Sequence, residues 1–592
     1  VNKNRSYLVD AFKSRILRIF RHAWSETLLF KRIQLQPLKF AELMRDVILY
    51  QSEIESRFQS FSNLATILLP FPSEVHQTDF QQRESNVRVE FDVIIVGGGG
   101  SGLAAAVRAL EMGASVLVLE KQSQLGGTTG MAIGSFTANG TRMQREANIN
   151  DNADDHEEDA GQFATPEIEA WNNPTLRRFF LGQTAETLEW LHGMGLYFHG
   201  PNPEPPNRVP RMHNIVPNAK AYIAAFQSQI LKRKGTIICD APVVELVFDE
   251  QEVTGVVASI QGARQTIKAK RGVVLAAGDY ANAPELIGRF KGDQFISIEG
   301  VNPKACGDGH LLAEKVGARL LNMDITYGPE LRFVPPPGDP FEQLIPTSGF
   351  LAKLMGRLVP FMPQALINWR IKKLLLTWQH PENSLFDDGA ILVNSEGRRF
   401  CNEKDSPQRE IAISEQPGKA AFILLDERIA AHYSQWPHFI STAPKIAYAY
   451  VNDYLKLRPD VSVEGTTLDA VGQARNLNIQ NLSDSIEQFN QYIAGQKPDA
   501  FGRTHDSHAL TGNRWVLLGP AKAYFTTTEG GVAINQQLQA LNDSGNPIPG
   551  LYAIGCNGMG GQILWGHGLH IAWAITSGRL VGEYLGKSKI HP

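Results

Sequence analysis

The chain has 592 residues, 43% of them hydrophobic and 20% charged, with a formal net charge of −4. This length exceeds what a single core accommodates, so two or three structural units are expected, and the near-neutral balance gives no reason to expect a nucleic-acid partner. Four scattered cysteines (Cys239, Cys306, Cys401, Cys556), with no CxxC and no CxxCH, argue against a disulfide framework, a zinc site or c-type haem. They fit a reducing compartment, so a cytoplasmic location is expected.

Residues 1–88 precede any nucleotide-binding signal, and the first 60 hold 11 Lys/Arg against 6 Asp/Glu. Within them "AFKSRILRIFRHAW" has Phe12, Ile16, Ile19 and Phe20 near one helical face and arginines elsewhere. Two readings stay open: a helix that meets a membrane surface or partner, or one that packs on the body with its arginines in water. The first residue is Val rather than Met, which leaves room for a preceding segment or a removed leader.

From Phe91 the chain reads "FDVIIVGGGGSGLAAAVRALEMGASVLVLEK": a buried strand, a glycine turn, a helix and a second strand. In Gly97-x-Gly99-x-x-Gly102, with Gly100 and Ser101 between, the glycines permit a tight turn against a pyrophosphate. The helix that follows offers free N–H groups and a partial positive charge. Glu120, at the end of the second strand, is placed to accept both ribose hydroxyls, which disfavours a 2′-phosphate. Lys121 follows, and in "KQSQLGGTTG" Gly126, Gly127, Thr128 and Thr129 form a second loop able to run close to the same ligand. No second strand–GxGxxG–helix unit follows, so one dinucleotide, FAD, is expected.

Further along, "NDNADDHEEDAG" (150–161) is acidic enough to predict a mobile surface segment, and "GVVLAAGDYANAPEL" (272–286) predicts another strand entering a turn. Residues 335–388 look like an insertion. Its stretch 349–379 has no acidic residue but carries Lys353, Arg357, Arg370, Lys372 and Lys373 with two tryptophans. This suits either an anionic membrane surface or a hydrophobic subunit contact. The chain closes with "GLYAIG" and "GGQILWGHGLHIAWAITSGRL", in which Ala574, Gly578 and Gly582 recur every four residues and predict a helix lying close to its neighbour.

Taken together, "DVIIVGGGGSGLAAA", "VLEKQSQLGGTTG", "VVLAAGDY", "GDGHLLAEKVGARLLNMD", "GRRFCNE", "EGGVAIN" and "IPGLYAIGCNGMGG" resemble the fumarate reductase and 3-ketosteroid dehydrogenase superfamily of flavoproteins over roughly 90–586. The resemblance implies an α/β fold with a Rossmann-like, GR2-type FAD-binding domain split in sequence and an inserted α+β capping domain, here preceded by an α-helical N-terminal extension. The implied boundaries are 1–88 for the extension, 89–322 and 518–592 for the FAD-binding domain, and 323–517 for the capping domain. It also implies that Val244, Ala277, Gly278, Gly555, Cys556, Asn557 and Leu569 join the glycine loops around FAD. Enzymes of this kind move a hydride between flavin N5 and a carbon near an electron-withdrawing group, and exchange a proton with a side chain on the opposite face.

The departures narrow the chemistry. Where fumarate reductases carry a His-Thr and an Arg for substrate carboxylates, this chain reads Thr527-Thr528-Glu529 and Leu564-Trp565-Gly566-His567-Gly568, so fumarate is not the expected substrate. Neither catalytic tyrosine of the ketosteroid Δ1-dehydrogenases is present, although the N–H of Gly568 could still polarise a carbonyl. Cys556 replaces the family's usual Glu, and no histidine stands near "GGTTG", so the FAD is expected to be non-covalent. The candidate proton-transfer and substrate residues are Arg409, Tyr327, Tyr524 and His567, with an ion pair to Glu410 or Glu403 as the other reading of Arg409, and packing or capping that of His570.

The first expectation is therefore an FAD-dependent dehydrogenase (desaturase) acting beside a carbonyl of a bulky, apolar, steroid-like or alicyclic ketone, with an external electron acceptor. The alternative runs the same chemistry backwards, as an enoate or enone reductase fed by an external donor. A flavin-binding protein without turnover is the third.

Overall fold

The structure is a computed structural model that describes residues 89–337, 376, 380–443, 447–505 and 508–588. The basic N-terminal segment and almost all of the 349–379 stretch lie outside the described residues, and with them the two membrane readings. Among the described residues no helix is long and apolar enough to cross a membrane.

The strand–turn–helix–strand unit forms as the sequence dictates. Strand β1 (Glu90–Val96) is apolar from Val93 to Val96, helix α1 (Gly100–Glu111) begins on the glycine turn, and β2 (Val116–Leu119) is buried throughout. A continuous apolar run is what a parallel strand covered on both faces requires. The sheet continues through β3 (Thr236–Ile238), β4 (Ala263–Leu275) and β5 (Pro547–Ala553), in the order β5-β4-β1-β2-β3, all neighbours parallel. An antiparallel hairpin, Val243–Asp249 with Glu252–Ile260, leads into β4.

The last helix, α2 (Leu569–Lys587), lies along α1. A Cβ on Gly578 would stand 2.4 Å from the carbonyl oxygen of Ser101, one on Gly582 2.5 Å from that of Ala105, and one on Gly586 2.4 Å from Cβ of Met112. The small-residue spacing thus lets two backbones approach within a distance that any side chain would prevent.

A second sheet, with its own hydrophobic core, is built around the long strand Trp515–Phe525. That strand pairs with Glu299–Gly300, Glu330–Phe333, Ala421–Leu425 and Ser462–Gly465, and Ile391–Val393 adds to Ala421–Leu425. Trp515–Phe525 straddles position 517/518, so this sheet begins before and ends after the span 323–517. A three-stranded antiparallel sheet (Ser135–Thr137, Met212–Val216, Tyr197–Asn202) lies beside α2.

The acidic segment 150–161 is not the mobile surface piece that its composition predicts. Ala153–Ala160 is a helix whose N-cap, Asn152, accepts from the N–H groups of Asp154 and Asp155. Asp159 is buried and binds Arg208 and Arg211, while Glu157 pairs with the buried Arg177. Distant arginines neutralise the acids, and ordered burial follows.

Candidate active site

The glycine turn between β1 and α1 opens onto a cavity of about 630 Å³. Gly97, Gly99, Gly100, Ser101, Glu120, Lys121, Gly127, Thr128, Thr129, Val244, Ala277, Gly278 and Cys556 all line it. Its fit to a dinucleotide can be tested residue by residue. A Cβ on Gly102 would fall 2.0 Å from the Gly97 carbonyl oxygen, so the turn is closed tightly behind the cavity, whereas one on Gly99 would meet nothing nearer than 3.9 Å. The bare face of the turn is therefore left for a ligand. Glu120 is 8% exposed; Oε2 accepts from the N–H of Gly98 at 2.7 Å and Oε1 from that of Gln122 at 2.8 Å. Each oxygen keeps a lone pair for a ribose hydroxyl. Lys121 is engaged by Asp308.

The other five residues expected at FAD stand behind this wall. Gly102 closes the turn, and Gly126 ties the second loop to the first through its N–H to the Gly98 carbonyl at 3.0 Å. Gly555 leaves room for Ser101, whose Oγ would lie 2.8 Å from a Cβ there. The buried Asn557 accepts from the N–H of Ala277 at 2.8 Å, and Leu569 belongs to the hydrophobic core. These five shape the loops rather than face the cavity.

A second cavity, of about 290 Å³, shares Thr128, Thr129, Met131, Asp279, Cys556 and Ala574 with the first. Tyr327, His567 and Gly568 line it, together with Arg332, Trp565 and His570. Gly568 is the N-cap of α2 at φ 83°, and a Cβ there would lie 2.8 Å from Oγ1 of Thr137. The Thr137 hydroxyl donates to the His567 carbonyl at 2.6 Å, fixing the turn that presents the His567 ring. Tyr327 packs edge-on against Trp565, with ring centroids 5.5 Å apart, and the indole Nε1 of Trp565 is buried without a hydrogen-bond partner among the described residues.

Two candidates are not brought here. Arg409 is buried under the second sheet, where it donates to Glu410 and to the Glu403 carbonyl and covers the Phe386 ring at 4.9 Å. It lines neither cavity; the ion-pair reading describes its position. Tyr524 lies on the long strand opposite Glu299 and Glu330, also off the lining.

Every cation at the second cavity has a carboxylate beside it. Arg332 pairs with Glu330 at 2.6 Å, His567 with Glu204 at 2.5 Å, and His570 with the fully buried Glu529 at 2.9 Å. The hydrogen bond to Glu204 raises the pKa of His567 against the opposing effect of burial. Burial would pull His570 down, but the Glu529 carboxylate and Cys556 outweigh it and hold the imidazole well above its usual range. Burial, reinforced by Glu330, pushes the Tyr327 phenol up to about 12. Burial also raises Asp279. Each of these shifts favours the protonated form of the group. Arg332 and Glu204 carry no motif in the sequence and come to the site only through the fold, while Asp279 stands in the "VVLAAGDY" block without having been singled out.

A glycine-turn cavity that fits a dinucleotide, opening into a second cavity rich in proton donors, defines a flavoprotein oxidoreductase. The chain belongs to the family described as FAD binding domain, which matches residues 92–335 and 349–562. It is 26% identical over 507 residues to "Fumarate reductase (cytochrome)" of Shewanella frigidimarina, covering 84% of this chain and 77% of that one. Its fold is similar to the open conformation of a flavocytochrome c3 fumarate reductase (TM-score 0.63, 23% identity, 86% and 81% covered). It is also similar to 3-ketosteroid Δ1-dehydrogenase from Sterolibacterium denitrificans (TM-score 0.56, 19% identity, 85% and 100% covered). The protein is accordingly an FAD-dependent oxidoreductase, with FAD as its cofactor.

Proposed function

We propose that the enzyme reduces a carbon–carbon double bond conjugated to the carbonyl of a neutral, largely apolar molecule. The observation that carries this reading is the charge state of the second cavity. Among the described residues no cation there lacks its own carboxylate, so a substrate carboxylate would meet no uncompensated positive charge from them. The pKa values of Tyr327 and His567 are both raised, which favours groups that give a proton rather than take one.

FAD, held by the glycine turn, Glu120 and the "GGTTG" loop, supplies the two-electron chemistry when bound. The first turn of α2 directs free N–H groups and a positive dipole end toward the junction of the cavities, worth about 0.3–2 kcal/mol to a negative charge developing there. Gly568 leaves the backbone bare for the substrate. The partnerless Trp565 N–H and the His567 ring are hydrogen-bond donors for its carbonyl, and Tyr327 delivers the proton to carbon. The unit carrying Tyr327 and Arg332 serves as the capping domain over this cavity. In this reading electrons come from an external donor.

The same residues run the reverse, dehydrogenase reaction by microscopic reversibility, but a phenol held at about 12 is a poor base for it. Anaerobic mixing of reduced enzyme with a panel of neutral enones and with fumarate tests the proposal. Fast flavin reoxidation by enones and slow reoxidation by fumarate are expected. Reoxidation by fumarate alone overturns it, and bleaching of the oxidised enzyme by saturated ketones assigns the dehydrogenase direction instead.

A further inference from the structure

Two positions at which the sequence departs from its family, Cys556 and Glu529, are joined in space by His570. Sγ of Cys556 lies 3.8 Å from Nδ1 of His570, and Nε2 of the same ring lies 2.9 Å from Oε1 of Glu529. Glu529 has no solvent exposure, and its second oxygen accepts from the N–H of Leu564 at 3.0 Å, so the carboxylate is fixed in place. A thiol on one ring nitrogen and an anchored carboxylate on the other is the order of an activated nucleophile: nucleophile, base, orienting group. The remaining polar groups around it are few. Oγ1 of Thr527 stands 4.0 Å from the sulfur and 3.5 Å from the buried carboxyl of Asp279, which also faces His570.

The other three cysteines have no such setting. Cys401 is buried, which raises its thiol beyond the usual range. Burial and the neighbouring carboxylates Glu120 and Asp240 raise Cys239. The Cys306 thiol donates to the Pro303 carbonyl at 3.9 Å. Cys556 is half-buried and lines both cavities.

We propose that Cys556 is an activated thiol and a covalent-modification site for soft carbon electrophiles, conjugated carbonyls above all, that enter through the second cavity. In the step, the sulfur, its proton already resting on His570 as the imidazolium, attacks the β-carbon as the thiolate. A C–S bond forms, the C=C π bond breaks with its electron pair moving toward the carbonyl, and the imidazolium returns the proton to the α-carbon. The product is a thioether, and no oxidant or reductant is consumed. The site does not depend on the reaction proposed above; it needs only the constellation and an open second cavity.

The test treats the FAD-loaded enzyme with limiting iodoacetamide across pH 6–9 and maps the four cysteines by peptide mass spectrometry. Cys556 is expected to react at least about tenfold faster than Cys306 at pH 7, with a rate that levels off toward acid. E529Q and H570Q, with FAD still bound, are expected to bring it down to the Cys306 rate. Cyclohexenone is expected to add its whole mass to the Cys556 peptide. A Cys556 rate no greater than that of Cys306 overturns the proposal. So does a rate that falls about tenfold per pH unit below 8, as an unassisted thiol does. If the variants fail to retain FAD, the pH profile of the unaltered protein decides alone.

Discussion

One oxygen of Glu204 holds both ends of His567: Oε1 accepts from the backbone N–H at 2.8 Å and from ring Nδ1 at 2.5 Å, across 363 residues of chain. The carboxylate is almost buried, whereas the ring faces the second cavity. Because the folded pKa of His567 is raised, its protonated form is complete below the usual histidine value and is lost as pH rises through the folded one. E204Q removes the charge that raises it. The alkaline limb of kcat/KM is therefore expected to move to lower pH, with the acid limb unchanged, in a pH–rate series on both proteins.

Tyr327 and Arg409 make opposite predictions. Y327F removes the proposed proton donor and little packing, so turnover should fall by about 10²-fold or more while Tm stays near that of the parent. R409Q leaves Glu410 buried without its cation, at a cost of about 3–5 kcal/mol. Urea unfolding and steady-state rates on the two variants separate the roles.

Gly578 sets the distance between α2 and α1. In G578A the new methyl would lie 2.4 Å from the Ser101 carbonyl and 2.9 Å from Cβ of Ala104. The helices must part, at about 1–3 kcal/mol of overpacking strain. Ser101 lines the FAD cavity, so the cofactor should also be held more weakly. Thermal unfolding and flavin retention on gel filtration measure both effects.

Replacing Glu120 by Ala removes the acceptor for two backbone N–H groups and for the ribose. Each hydrogen bond to a charged group is worth about 1.5–3 kcal/mol, so FAD affinity should drop by at least about tenfold. Fluorescence titration of deflavinated protein reads it directly.

The cofactor half of this enzyme was legible from residues alone because its determinants are local. A run from Val93 to Glu120 holds the strand, the turn, the helix and the carboxylate, and each is specified by neighbours a few positions away. The substrate half was legible only in part: Tyr327, His567 and Gly568 line the second cavity, but their partners could not be read. Glu204 meets His567, and Glu529 meets His570, only after two sheets have folded, and single glutamates and histidines leave no spacing to read. The same distance dependence explains the acidic segment: Asp159 looks like a solvated charge until Arg208 and Arg211 are placed around it. It also explains the arginines. Arg409 lay nearest the family position, but Arg332, on a strand of the second sheet, is the one whose side chain faces the cavity.

The three bare positions along the final helix have a consequence for how the protein is made. The glycine turn is synthesised some 470 residues before the wall against which it is braced, from Ala574 to Gly586. Until then the face of α1 that packs on this helix lacks its partner. Firm binding of the cofactor is therefore expected only once this helix is made, and chains interrupted before it should be recognised by proteases and chaperones as unfinished, however well the preceding part has folded.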